Sequence, residues 1–171
     1  MNSGIEVRVL NENDAASLWK IRLEALQQEP DAFGDTAEEH QAITIESLAA
    51  RMRPTDSRFG LGAFVSGQLV GTVRFERPER AKNRHRSSIH AVYVSDAYRG
   101  KGVARTMLAE VIRMARAQAG VEQIELTVGV GQTAAKRLYE SFGFKCYGRH
   151  EHALKIGEQY IDQDLMVLRL S

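Results

Sequence analysis

The chain has 171 residues, of which 43% are hydrophobic and 26% are charged, and its formal net charge is +1. This size and composition predict a single domain over residues 1–171, and the near-neutral charge gives no reason to expect nucleic acid or an anionic membrane as a partner. Cys146 is the only cysteine, which excludes an internal disulfide, and the lack of a signal peptide or of an apolar run near roughly 18 residues leads us to expect a cytoplasmic protein.

The N-terminal half predicts three strands and two helices. After a first strand, polar residues that can cap a helix precede an apolar helical face over residues 15–28. Thr44 can cap a second helix, which Pro54 ends. Two β-rich runs then flank Ser66-Gly67, a dipeptide that indicates a tight hairpin. The predicted strands of this half are 5–10, 59–65 and 68–75.

The C-terminal half predicts four more strands, 87–94, 122–130, 144–149 and 160–170, and helices over 102–119 and 132–142. The helix between the first two of these strands favours placing them side by side and parallel. The order β-α-α-β-β-β-α-β-α-β-β therefore predicts an α/β fold (α+β in some schemes). We expect a mixed, mostly antiparallel sheet of about seven strands with one central parallel pair, flanked by about four helices.

A small-residue turn precedes the helix at 102–119. Gly100, Gly102 and Ala104 alternate through it, so the backbone can approach a ligand closely. The helix presents its first unpaired N–H groups and the positive end of its dipole there, which suits a pyrophosphate. The alternative is an ordinary loop whose glycines serve only the turn. Three cationic donors surround the turn: Arg99, Lys101 and Arg105.

Two other nucleotide-binding motifs fit this turn poorly. No string matches GxxxxGK[ST], the phosphate loop of many kinases and ATPases. The dinucleotide pattern GxGxxG starts at Gly100-Lys101-Gly102, but its third small position is Arg105. A kinase or other nucleotide-dependent enzyme is therefore an alternative without a matching motif, and stabilisation by ATP would be its test.

The turn resembles motif A of the GNAT acetyltransferase superfamily, [QR]-x-x-G-x-[GA], which Arg99, Gly102 and Ala104 match in register. In that superfamily the turn holds the pyrophosphate of acetyl-coenzyme A (acetyl-CoA). The predicted element order is also that of the GNAT fold over nearly the whole chain. The resemblance implies acetyl-CoA as co-substrate and no metal. It also implies these cofactor contacts: Val92, Tyr93, Val94, Arg99, Gly100, Lys101, Gly102, Val103, Ala104, Arg105, Gln132, Lys136 and Tyr139.

A second segment, residues 132–144, resembles motif B of the same superfamily, N-x-x-A-x-x-L-Y-x-x-x-G-F. It departs from the pattern at Gln132, where Asn is usual; in the superfamily that side chain helps to hold the pantetheine arm. The matching residues are Ala135, Leu138, Tyr139, Gly143 and Phe144. Two motifs in register on the expected elements indicate a member of this superfamily. The segments 22–34 and 157–166 resemble those of its small bacterial members.

The resemblance places the hydroxyl of Tyr139 near the sulfur of coenzyme A. A phenol with an ordinary pKa near about 10 is protonated at neutral pH and can donate its proton to a departing thiolate. We therefore predict a general acid. The residue pattern by itself favours a core tyrosine on an apolar helix face, which is the alternative.

The implied reaction is direct attack of an amine on the thioester, with the strand edge at 92–94 aiming a backbone N–H at the carbonyl oxygen. His90 is the predicted general base, because it shares strand parity with Val92 and Val94 unless a β-bulge intervenes; a histidine satisfied within the sheet is the alternative. Weaker candidates for the base are Glu76 and Glu125. A covalent route would use Cys146 as the acetylated nucleophile.

The segment between the first two helices lines the acceptor side in the superfamily. Residues 29–39 contain five acids and no Lys or Arg, so an acidic rim would attract a cationic amine; a solvated charged loop is the alternative. Phe33 and Asp35 are the predicted substrate contacts. The resemblance implies a primary amine as acceptor (a small amine, amino acid, polyamine or peptide N-terminus), and a homodimer, which is common in the family. A non-catalytic acetyl-CoA sensor on the same fold is the second hypothesis.

Overall fold

The computed structural model describes residues 4–170 as seven strands and five α-helices. The strands are β1 (Ile5–Val9), β2 (Arg58–Val65), β3 (Gln68–Glu76), β4 (Arg86–Val94), β5 (Gln123–Gly129), β6 (Lys145–Ile156) and β7 (Gln159–Arg169). The helices are α1 (Ala15–Gln28), α2 (Ala37–Gln41), α3 (Ile45–Arg51), α4 (Val103–Ala117) and α5 (Thr133–Ser141). Among these described residues, no helix is both long and apolar enough to span a membrane.

The strands form one sheet in the order β1-β2-β3-β4-β5-β7-β6. Neighbouring strands are antiparallel except β4 and β5, which are parallel and are connected by α4. This mixed sheet with one central parallel pair confirms the fold predicted from the sequence. The β2–β3 hairpin is also as predicted: Ser66 and Gly67 both have positive φ, 49° and 77°, which is the backbone of a type I′ turn.

A hydrophobic core lies on each face of the sheet. Adjacent strand residues point to opposite faces of the sheet. One core contains Val70 and Val94 and packs against α4, and the other contains Leu69 and Tyr93 and packs against α1. The amphipathic pattern of α4 explains its position, because all its buried residues lie on one side: Val103, Met107, Leu108, Val111, Ile112 and Ala115. The two cores hold β4 between α1 and α4, so its C-terminal end is fixed from both sides.

Two elements differ from the sequence prediction. The short helix α2 was not expected, although Thr36 and Glu39 form a capping box at its start, with both reciprocal hydrogen bonds present. Strand β6 runs to Ile156 rather than ending near residue 149. It is an edge strand that is mostly exposed and lacks apolar alternation, and its register shifts between His150 and Leu154, so periodicity could not mark its full length.

Candidate active site

The main feature of the sheet is a split between its two parallel strands. β4 and β5 pair only over Arg86–Ser88 and Gln123–Glu125, while β5 stays paired with β7 as far as Gly129. The end of β4, residues 92–94, therefore presents an open backbone edge toward the split. Such an edge can form main-chain hydrogen bonds with an extended ligand that carries amides.

A β-bulge interrupts the regular pairing of β4 just before this open edge. His90 lies opposite Arg74 on β3, but Tyr93 lies opposite Thr72, so β4 contains one extra residue. The bulge centres on Ala91, whose φ is 53°, and the Thr72 hydroxyl donates to the Ala91 carbonyl at 3.3 Å. The strand-parity argument that linked His90 to Val92 is therefore wrong, because a bulge reverses the alternation beyond it.

A cavity of about 590 Å³ occupies the split, a volume suited to a cofactor and a small substrate. It is walled by the end of β4, the glycine turn, the end of β5, α5 and the segment after α1. The structure brings thirteen of the sequence-predicted site residues to its wall: Phe33, His90, Val92, Tyr93, Val94, Arg99, Gly100, Gly102, Val103, Ala104, Arg105, Gln132 and Tyr139. Three others, Asp35, Lys101 and Lys136, do not line it.

The glycine turn and the first residues of helix α4 form one end of the cavity. Gly100 and Gly102 have positive φ values, 71° and 83°, a conformation that side chains other than glycine disfavour. The first α-helical hydrogen bond runs from Thr106 N to Gly102 O at 3.0 Å. The preceding N–H groups of residues 103–105 therefore have no helical acceptor, and these three residues line the cavity. This end of the cavity has the chemistry of an anion site.

Arg99 is anchored by three oxygen acceptors beside this turn. Its Nε donates to the Val94 carbonyl at 3.0 Å, and its guanidinium pairs with Glu29 at 2.9 Å and with Asp96 at 3.6 Å. Glu29 also lines the cavity; the sequence placed it in the acidic rim at 29–39 but did not predict its pairing with Arg99. It precedes Arg99 by seventy positions, so no local pattern could connect them.

The other two cations of the turn differ in position. Arg105 lies at the cavity wall and donates to the Ser141 hydroxyl at 3.0 Å, which links α4 to α5. Lys101 places its ammonium 5.3 Å from the centre of the Tyr98 ring. Tyr98 itself lines the cavity.

Tyr139 projects from α5 into the wall of the cavity and is only 6% exposed. Its ring packs edge-on against Phe144, with ring centres 5.9 Å apart. Burial raises the pKa of the Tyr139 hydroxyl above its ordinary value, and the negative charge of Glu29 adds to the rise. The phenol is therefore protonated at neutral pH, which is the state that a general acid requires.

Tyr93 lines the cavity, and its side chain packs in the core beside α1. The hydroxyl donates to Glu24 at 2.9 Å, and burial, followed by this hydrogen bond, raises its pKa. The Phe33 ring packs edge-on against Tyr93, with centres 6.3 Å apart. These contacts fix the strand edge and the segment after α1 relative to each other.

His90 lies at the cavity wall beside the bulge, with a side chain that is 44% exposed. Its Nε2 lies 2.8 Å from the Ser88 hydroxyl and 3.8 Å from a carboxylate oxygen of Glu76. Partial burial lowers the pKa of His90; Glu76 opposes this change and Arg74 reinforces it. The imidazole is therefore neutral at pH 7 and can accept a proton.

The residues Gln132 and Lys136 of motif B have different surroundings: the first lies at the cavity wall and the second contacts the sheet. Gln132 precedes α5 at the cavity wall. Lys136, by contrast, forms a 2.6 Å ion pair with the buried carboxylate of Asp164, which Arg149 also contacts at 2.8 Å. These contacts lower the pKa of Asp164, with Arg149 as the larger cause. Lys136 thus ties α5 to β7, a contact that its motif position did not indicate.

The remaining candidates lie outside the cavity. Asp35 forms a 2.8 Å ion pair with Arg22. Glu125 accepts two hydrogen bonds from Arg86, at 2.9 and 2.7 Å, which lower its pKa, so its carboxylate is already engaged. Cys146 is exposed on β6 and its thiol contacts the Gly148 carbonyl at 3.3 Å.

The fold and the cavity define the acetyltransferase class of protein, and comparison with known proteins agrees. The profile of the acetyltransferase (GNAT) family matches residues 18–144. The chain therefore belongs to the GNAT acetyltransferase family, as its two motifs indicate.

Individual relatives are similar over different extents. An L-amino acid N-acetyltransferase from Escherichia coli is 31% identical over 103 residues, which is 60% of this chain and 62% of that protein. The match thus spans less than two thirds of this curated relative. A GNAT-family acetyltransferase structure from Streptococcus pneumoniae superposes with a TM-score of 0.86 at 26% identity, over 98% of this chain and 99% of that one.

A putative acetyltransferase from Salmonella typhimurium, solved with its cofactor acetyl-CoA, also shares the fold. It superposes with a TM-score of 0.84 at 21% identity, over 98% of this chain and 95% of that one.

Proposed function

We propose that this protein is an enzyme that transfers the acetyl group of acetyl-CoA to a primary amine by direct attack within a ternary complex. The observation that carries the proposal is the cavity in the split sheet. It combines an anion site at the start of α4, an open strand edge and a protonated Tyr139. The acetyl-CoA bound to the Salmonella protein of the same fold supports acetyl-CoA as the co-substrate.

The cofactor would bind along the open edge of β4. The pyrophosphate would accept hydrogen bonds from the N–H groups at residues 103–105, helped by Arg105. The pantetheine amides would pair with residues 92–94, as an added strand pairs with a sheet edge. A backbone N–H of this edge would then donate to the thioester oxygen and stabilise the negative charge that develops there.

The chemical step would then need one acid and one base. The amine nitrogen attacks the carbonyl carbon, the C–S bond breaks, and the sulfur leaves with its electron pair. Tyr139 would donate its proton to this thiolate. His90 would take the proton that the amine loses, since its imidazole is neutral and lies at the cavity wall beside the bulge.

The need for a base depends on the acceptor. An amine with an ordinary lysine-like pKa of about 10.4 must lose a proton at a cost of roughly 4.6 kcal/mol at pH 7. An α-amine with a pKa near about 8 needs only roughly 1 kcal/mol, so solvent can suffice. The contribution of His90 should therefore be larger for the more basic acceptor.

Release of free thiol from acetyl-CoA tests this function when it is measured across a panel of amines. The panel should contain amino acids, a polyamine, an aminoglycoside and peptides with free N-termini. Saturable, amine-dependent release supports the transferase. Tight acetyl-CoA binding without release from any amine would instead support the sensor hypothesis.

A further inference from the structure

A second cavity, of about 310 Å³, lies between the sheet and the helices α1 and α3. It shares the bulge residue Ala91 with the first cavity, so the two meet where β4 bends. We call it the arginine groove, because five arginines and only two carboxylates line it. These charged residues are Arg22, Arg51, Arg53, Arg58, Arg74, Asp35 and Glu76.

The two carboxylates of the groove are already paired. Asp35 contacts Arg22 at 2.8 Å, and Glu76 contacts Arg74 at 3.0 Å. Within residues 4–170, the ion pairs include none from the other three arginines, at positions 51, 53 and 58, to a carboxylate. The Arg51 guanidinium donates to the carbonyl and the hydroxyl of Ser47 at 3.2 and 3.1 Å. The guanidinium groups of Arg53 and Arg58 therefore give the groove a surplus of positive charge that can bind an anion.

The acidic residues of segment 29–39 do not offset the excess positive charge of the arginine groove. Glu29 pairs with Arg99, Asp35 with Arg22, and the Glu39 carboxylate accepts the Thr36 N–H at 2.8 Å. Three of its five acids are therefore engaged in contacts of the fold. The attraction for a cationic acceptor that the sequence suggested is correspondingly weakened.

We propose that the acceptor is a primary amine that carries a carboxylate, as amino acids do, and that the arginine groove binds this carboxylate. The inference rests on the proposed acetyl transfer, because it places the amine of the acceptor at the junction near Ala91. Its anionic end would extend from there over β3. A polyamine is the acceptor class that this groove disfavours, because it would bring further positive charge.

The sheet geometry fits a small acceptor of this kind. Arg74 lies directly opposite His90 on the neighbouring strand, so it is one residue pair away from the bulge at the junction. Arg58 lies opposite Glu76 on the next strand, about 10 Å across the sheet from β4. The side chain of an arginine spans much of that distance, so a compact amino acid can reach the groove.

The positive groove would also help the reaction. Nearby like charges lower the pKa of an ammonium group, so a larger share of the acceptor amine would be in its neutral, nucleophilic form. The carboxylate would bind where the arginines have no acidic partner. One charge distribution would thus both orient the acceptor and activate it.

The test compares matched acids and amides as acceptors. Glycine is compared with glycinamide, alanine with alaninamide, and leucine with leucinamide, so that only the α-carboxylate changes, and spermidine represents the polyamines. The variant R53A/R58A removes two guanidinium groups that have no carboxylate partner among the ion pairs of residues 4–170. Arg116→Ala is the control, since Arg116 is exposed on α4 and lines neither cavity. Each protein is assayed for thiol release and, with coenzyme A present, for acceptor binding by calorimetry.

We expect wild type to prefer the acid in at least one pair by about 10- to 100-fold in kcat/KM, the range for hydrogen bonds to a charged group. The double variant should reduce this preference, mainly through KM, while Arg116→Ala keeps it. A preference for amides or spermidine, or a preference that survives the double variant, would overturn the proposal. If no amine is acetylated, acetyl transfer fails, but carboxylate binding that the double variant abolishes would still support the groove. If no acid binds either, the groove assignment fails as well.

Discussion

The two side chains proposed for proton transfer are both uncharged at neutral pH, and burial is the main cause of the pKa shift of each. Burial raises the pKa of Tyr139 and lowers that of His90. These opposite shifts suit opposite tasks, because an acid must hold its proton and a base must be ready to accept one. Glu29 lies at the same cavity wall and adds to the shift of Tyr139.

Removal of the Tyr139 hydroxyl should affect the chemical step and spare cofactor binding. We expect Tyr139→Phe to lower kcat by about 10²-fold or more, the usual contribution of a general acid, with little change in the Kd of acetyl-CoA. Tyr147→Phe is a matched control, because Tyr147 is 57% exposed on β6. Steady-state kinetics and calorimetry make the comparison, and a loss of acetyl-CoA binding would show that Tyr139 is structural.

Protonation of His90 should abolish its function as a base. We expect kcat/KM to fall as the pH falls through the pKa of His90, which lies below the ordinary value because of burial. His90→Gln should remove this acid limb of the pH–rate profile, whereas His150→Gln, on exposed β6, should keep it. An unchanged profile in His90→Gln would exclude His90 from the mechanism.

The turn that leads into helix α4 needs glycine at position 102 because of its backbone conformation. Ala at position 102 would have to adopt the positive φ of 83°, at a cost of roughly 1–2 kcal/mol. We expect Gly102→Ala to lower stability by about that amount and to weaken acetyl-CoA binding, as measured by denaturant unfolding and calorimetry. Gly34→Ala is the control, because the added methyl group meets no atom within 4 Å. Unchanged acetyl-CoA affinity in Gly102→Ala would limit the glycine to a structural role.

The Asp164 carboxylate joins three elements, since it accepts from Lys136 on α5 and Arg149 on β6 while lying on β7. Asp164→Asn should lower the free energy of unfolding by about 1–3 kcal/mol. In the wild-type protein, the ionised Asp164 carboxylate should contribute its full stabilisation at pH values above the ordinary carboxylate pKa. The contribution should be lost as the pH falls through the lowered pKa that Asp164 has in the folded protein. In unfolding curves measured at roughly unit pH steps from neutral pH downward, the stability difference between the two proteins should shrink as the pH falls below the ordinary carboxylate pKa.

Several elements follow from local sequence patterns, and others depend on contacts that no local pattern records. The helix α4 and the hairpin at Ser66-Gly67 were predicted because their periodicity and turn residues act locally. The bulge at Ala91 was not, because Thr72 on a neighbouring strand stabilises it. The pairing of Glu29 with Arg99 was missed for the same reason. A cytoplasmic location and a homodimer stay predictions from the sequence.

At the scale of the whole molecule, the cofactor should connect the two halves of the split sheet. A ligand that binds β4, α4 and α5 in the folded state raises the free energy of unfolding by about 2.7 kcal/mol when its free concentration is roughly 100 times its Kd. For a domain of this size we expect acetyl-CoA to raise Tm by about 5–10 °C. ATP at the same concentration is the control for the nucleotide-dependent alternative, and equal stabilisation by ATP would argue against a site specific for acetyl-CoA.

The central claim is that acetyl transfer to an amine takes place in the split of the sheet. The most direct test is to measure thiol release and the acetylated amine together, by mass spectrometry, for the best acceptor. The account predicts one acetylated amine for each thiol released, with both slowed equally in Tyr139→Phe. Thiol release without an acetylated amine, or equal rates in wild type and Tyr139→Phe, would contradict it.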